Sequence, residues 1–119
     1  MANPNIVNVS SILGVTDTFA LTTTLTSLVT CTTDKVFKIN SIMIANVDGS
    51  NAADVTIEHN DGSNDRAIAS TISVPADATL SVIDKNNGFY LTQGNIIKGS
   101  ASANGDLECL ISYEILDDA

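Results

Sequence analysis

The chain has 119 residues, 44% of them hydrophobic and only 4% aromatic, and a formal charge of −9 with just five Lys and Arg. That length and apolar content suit one domain with a real core. The scattered cations Lys35, Lys38, Arg66, Lys85 and Lys98 make no basic patch for nucleic acid or an anionic membrane, and the longest apolar run, Ser41–Val47, is far short of the ~20 residues that span a bilayer.

The opening MANPNIVNVSS has no basic patch followed by an apolar stretch, so no signal peptide is expected. Val7, Val9, Leu13 and Val15 share one parity, and residues 1–16 read as an N-terminal arm or an exchanged strand. From Phe19 the apolar parity continues through Leu21, Leu25, Val29 and Cys31, opposite Thr22, Thr24, Thr26, Thr30 and Thr32. Period-two alternation of this kind marks a strand half-buried on one face, here with a break near Thr24–Ser27. Lys35–Asn46 ends apolar on both faces, as a central strand does. Val55, Ile57 and His59 alternate with Thr56 and Glu58, and Ile68, Ile72 and Val74 are assigned to one face of the next strand. Pro75-Ala76-Asp77-Ala78, Asn86-Asn87-Gly88 and Gly94-Asn95 are turn signals. Asn104-Gly105-Asp106 reads as a tight hairpin between Ile96–Ala103 and a last strand with Leu107, Cys109, Ile111, Tyr113 and Ile115 inward. About eight or nine short strands at this spacing predict an all-β, single-domain antiparallel sandwich over residues 1–119, jelly-roll-like.

Two tetrapeptides Asp-Gly-Ser-Asn, at 48–51 and 61–64, raise the question of a metal site. Calcium needs six to eight converging oxygens. One loop offers Asp48, Asn51 and Asp54, and the other Asp61, Asn64 and Asp65. Both fall where strand alternation stops, and Asp-Gly and Asn are turn formers. If they flank strand 55–59 they lie roughly 20 Å apart at ~3.3 Å per residue. They are read as turns, with no metal and no cofactor. His59 is the only histidine, so no His pair exists, and Cys31 and Cys109 sit on apolar faces without metal spacing. The expectation is two unpaired buried thiols in a reducing compartment, where the Asn8-Val9-Ser10 sequon is irrelevant. The remaining carboxylates concentrate in turns (Asp77, Asp84, Asp106) or on outward faces (Glu58, Glu108, Glu114), and no enzyme activity is expected.

Strand bodies are nearly free of charge. Outer faces rich in Thr, Ser and Ala, with Leu28, Leu110 and Leu116 among them, suit lateral packing against copies of the same chain. The N-terminal segment Asn3–Ser11 and the Thr-rich face are the expected contacts.

Two stretches, VFKINSIMIANVDGSNAADVTIEH (36–59) and VPADATLSVIDKNNGFYLTQGNIIKGSASANGDLECLISYEIL (74–116), carry a further pattern. An apolar strand ends in Ala-Asn, then come ADVT, a Val-Pro-Ala turn, an aromatic-Leu edge and a terminal NGDLE…ISYE segment. This resembles small virion structural proteins of tailed phages, particularly those of aquatic bacteria. One departure is Thr92-Gln93-Gly94-Asn95, where the relatives often carry Glu-Gly-Asp. The resemblance implies a jelly-roll sandwich on the virion, assembled in the host cytoplasm. The implied role is a capsid decoration (cement) protein, often trimeric, seated on the major capsid protein. The alternative is a tail, neck or fibre-base component, or a glycan-binding module, for which Phe89 and Tyr90 are the one adjacent aromatic pair, with one of them pointing inward.

Overall fold

The computed structural model describes residues 9–117, and the described residues contain nine strands and no helix. In chain order the strands are β1 (Ser11–Ala20), β2 (Thr26–Thr30), β3 (Lys35–Asn46), β4 (Ala53–Asn60), β5 (Asp65–Val74), β6 (Thr79–Ile83), β7 (Phe89–Leu91), β8 (Ile96–Ala101) and β9 (Leu107–Asp117). Their antiparallel pairs are nested: β4 with β5, β3 with β6, β2 with β8 and β1 with β9. The chain behaves as one long hairpin with its tip at β4–β5, rolled until β9 also meets β3 and β8 meets β4. Two sheets result, β1-β9-β3-β6 with β7 added beside β3, and β2-β8-β4-β5. The protein is an antiparallel β-sandwich with the nested strand order of a jelly roll.

Alternation fills the space between the sheets. Leu107, Cys109, Ile111 and Tyr113 of β9 face Val55 and Ile57 of β4 and Ile97 of β8 in one buried cluster. Within it Tyr113 stacks on Phe37 at 5.1 Å, an arrangement that adds about 1 kcal/mol to burial. In β3 a bulge between Ile39 and Ser41 switches the inward parity from Phe37 and Ile39 to Ile42 and Ile44. The strand's two apolar faces are therefore partly one inward face, displaced by a residue. Gly88 lets the chain between the Asp84–Asn87 turn and β7 lie close over β3, because a Cβ there would stand 2.6 Å from the Ile39 carbonyl oxygen.

Several local expectations are corrected by pairing. Asn104-Gly105-Asp106 does not close a hairpin, since β8 and β9 lie in different sheets and the turn crosses the sandwich. Along β5 the parity that groups Ile68, Ile72 and Val74 is unbroken only from Ile72 to Val74, and Ile68 packs on the core at the second of two register shifts. Ile72 and Val74 lie in unbroken register opposite the inward Val55 and Ala53, although Ile72 is 41% exposed, and the first shift brings Ala69 into the core opposite Ile57. Leu28, assigned to an outer face, sits in a bulge of β2 that turns it onto the core near Gly99. Leu110 and Leu116 do keep the outer parity assigned to them, alternating with the inward Ile111, Tyr113 and Ile115; Leu110 is half-buried, and Leu116 is buried beside its register partner Val36. Residues 11–16 form the first part of β1 and pair with β9. The expected contact segment Asn3–Ser11 falls largely outside the described residues.

Candidate interaction surface

The repeated tetrapeptides flank β4 at its two ends, so their carboxylates face different rims of the sandwich. Loop 61–64 closes the β4–β5 hairpin, and loop 48–51 carries the chain from one sheet to the other. Both copies do the same local work. Asp48 Oδ1 accepts the N–H of Ser50 (2.8 Å), and Asp61 Oδ1 accepts those of Ser63 (3.0 Å) and Asn64 (2.8 Å). The backbone N–H of Ser50 holds the Asp48 carboxyl below its ordinary range, and the N–H groups of Asn64 and Ser63 do the same for Asp61. These oxygens are engaged within their own turns. Asp65 is lowered by the Asn60 amide (2.7 Å) and then by Lys98, whose ammonium lies 3.2 Å away. Asn51 and Asn64 belong to these same turns, and the Asp54 N–H is bound by the Ser102 hydroxyl at 2.9 Å. Among the described residues no three His, Cys, Asp or Glu side chains converge on a point suited to a metal ion.

Cys31 and Cys109 are both buried and unpaired. Burial pushes the Cys109 thiol up to about 12 and raises that of Cys31, whose Sγ–H donates to the Lys35 carbonyl at 3.2 Å. Lys35 opposes the rise at Cys31 without overcoming burial, and neither thiol has the accessible setting that a nucleophile requires. His59, half-buried at the end of β4, meets the edge of Phe89 at 6.1 Å. Phe89 packs on the core and Tyr90 points to solvent, so the aromatic pair is split as its alternation requires.

Sequence reasoning did not single out Asn46. Its side chain is the one buried polar group of the described core, 3% exposed. Nδ2 donates to the carbonyls of Asn51 (3.0 Å) and Val74 (2.9 Å), while Oδ1 accepts the N–H of Asp48 (2.9 Å). One amide thus ties the end of β3 to loop 48–51 and to the end of β5. The signal was an Asn closing an apolar strand just before a turn.

What remains is surface. The outer face of the β1-β9-β3-β6 sheet carries a shallow trough of about 510 Å³. Thr18, Ala20, Met43, Ala45, Thr79 and Leu110 line it, and Glu108 is its single charged group. It appears only when four strands from distant parts of the chain are set side by side. Next to it β1 forms the sheet's edge, with Ile12 62% and Leu13 60% exposed. The chain matches no known protein family and no characterised protein. Among the described residues no helix is long and apolar enough to cross a membrane.

Proposed function

We propose that the chain is a structural protein of a tailed-phage virion, a decoration (cement) protein that stabilises the head by lateral contacts. Its partners in this reading are the major capsid protein and other copies of itself in a symmetric oligomer, with a trimer implied by the resemblance. One observation carries the reading: a long, nearly uncharged edge strand adjoining an apolar trough on the outer face of the same sheet. Monomeric sandwiches usually blunt such an edge with charge, Pro or bulges. The phage resemblance lies in β3–β4 and in the segment from Val74 to Leu116, which supply the sheet framework behind that surface.

Many weak contacts repeated over a lattice hold firmly through avidity, and no reactive group is needed. Cryo-electron microscopy of the particle encoded together with this chain tests the proposal. Sandwich-shaped density over the head lattice is expected. Density confined to a tail or neck ring would overturn the decoration role, and absence from the particle would overturn the virion reading.

A further inference from the structure

The exposed edges of the two sheets are built differently. β5 is interrupted by two register shifts, holds Thr71 at a φ of 51°, and carries Asp65 and Arg66 at its start. β2 and β6 have five residues each, with a register shift in the β2–β8 and β3–β6 pairings. β1 instead runs ten residues in unbroken register with β9. Its single charge, Asp17, shares the inward face with Ile111 and accepts the Tyr113 hydroxyl at 2.7 Å. Bulges, short length and charge are the usual protections of an edge, and β1 has none of them along its outer side.

Gly14 is a second, independent observation. Gly62, Gly94 and Gly105 adopt positive φ, while a Cβ at Gly88 or Gly99 would crowd its neighbours. Gly14 lies inside a strand, has no positive φ, and a Cβ there would meet nothing within 4 Å. The isolated subunit offers no steric reason for a residue that weakens a strand, and glycine in such a place marks close approach of another backbone.

The direction of the free groups follows from the ladder. Leu21 N–H donates to the Leu107 carbonyl at 3.0 Å, continuing the register in which Phe19 faces Cys109. Antiparallel hydrogen-bonded pairs recur every second residue. The odd residues of β1 therefore bond to β9, and the N–H and C=O of Ile12, Gly14, Thr16 and Thr18 point away from it.

We infer that β1 pairs antiparallel with β1 of a second copy, across a two-fold axis at Gly14, joining two sandwiches through one continuous sheet. The inference rests on the self-association proposed above and adds the strand that carries it. In this register Gly14 faces Gly14 of the partner subunit, Ile12 faces Thr16 of the partner subunit, and Leu13 faces Val15 of the partner subunit. Ser11 faces Asp17 of the partner subunit, so no carboxylate opposes another. The exposed Ile12 and Leu13 gain cross-strand neighbours. A two-fold contact is isologous and gives even-numbered assemblies, or joins one trimer to the next.

Two variants of the full chain test it. Paired at the axis, the two Gly14 Cα atoms would be ~5.5 Å apart. Gly14→Cys should be joined by a short bismaleimide roughly tenfold more than Asn86→Cys, an exposed turn position, because pairing raises the effective concentration. The buried Cys31 and Cys109 supply little background. The wild type should have a native mass that is an even multiple of 12.4 kDa, and Gly14→Lys should halve it without changing the far-UV spectrum. Equal crosslinking at the two sites, an unchanged mass in Gly14→Lys, or a wild type that is a monomer or a bare trimer overturns the inference. A bare trimer seen on phage heads would leave the decoration reading standing. A crosslinked dimer missing from the particle would support the edge pairing and overturn the virion role.

Discussion

Replacing Asn46 by Ala removes three hydrogen bonds from a side chain that is 3% exposed. Each such bond is worth about 1 kcal/mol net, and leaving its partner buried and unpaired costs at least as much again. The Val74 carbonyl is in that position, since its bond to Asn46 is fully buried. A total loss of about 4 kcal/mol follows. At ~2.1 cal/mol/K per residue, a chain of 119 residues has an unfolding entropy near ~250 cal/mol/K, so the melting temperature should fall by about 16 °C. Differential scanning calorimetry reads this directly, and amide exchange at Asp48 should accelerate because its acceptor is gone. Asn60 is the internal control. It directly precedes the second Asp-Gly-Ser-Asn turn, accepts the Gly62 N–H at 2.8 Å and donates to Asp65 at 2.7 Å, but at a solvent-accessible site. Asn60→Ala should cost at most ~1 kcal/mol, since water replaces the lost partners. A drop below about 4 °C for Asn46→Ala, or equal drops for the two variants, would refute the idea that burial makes one copy a structural tie and the other a plain turn.

Tyr113→Phe keeps the stacking on Phe37 and loses only the bond to the half-buried Asp17, so urea melts should show a loss of about 1 kcal/mol. Burial, with the bond to Asp17 second, raises the Tyr113 hydroxyl above its ordinary range. Its contribution is therefore present below the unfolded value near ~10 and is lost as pH rises beyond it, a decline the Phe variant should lack. Cys31 and Cys109 should resist a disulfide reagent at pH 8 in the native state, and both should react in denaturant; prompt labelling of native protein would contradict their burial. The lowered Asp61 carboxyl contributes stability that is present above the unfolded value of ~3.9 and is lost as pH falls below it through the depressed folded value, so Asp61→Asn should flatten acid unfolding melts below about pH 4.

Much of the architecture was legible from local chemistry. Alternation along Leu107, Cys109, Ile111 and Tyr113 assigns those side chains to the core, because successive residues of a strand must point to opposite faces. The Asp-Gly-Ser-Asn turns were legible for a similar reason, since an Asp oxygen reaches the N–H groups two and three residues on without help from elsewhere. Strand membership was not legible in this way. Asn104-Gly105-Asp106 has the composition of a hairpin, yet it joins two sheets. The ladders that decide this are set by contacts as distant as Ser11 with Asp117. Bulges defeated parity where one extra residue reversed the faces, as at Leu28 and along β5.

The trough and the open edge lie at the far end of that scale. No segment of the sequence contains the trough, because Thr18, Met43, Thr79 and Glu108 become neighbours only after the hairpin has rolled. The neutral character of β1 was written in its letters, but its place at the rim of a sheet was not. Local sterics and turn hydrogen bonds act within a few residues, so the sequence alone could determine strands, turns and inward faces. Pairing partners, edges and surface shape depend on which distant strands bury one another best, and tertiary packing alone decided those.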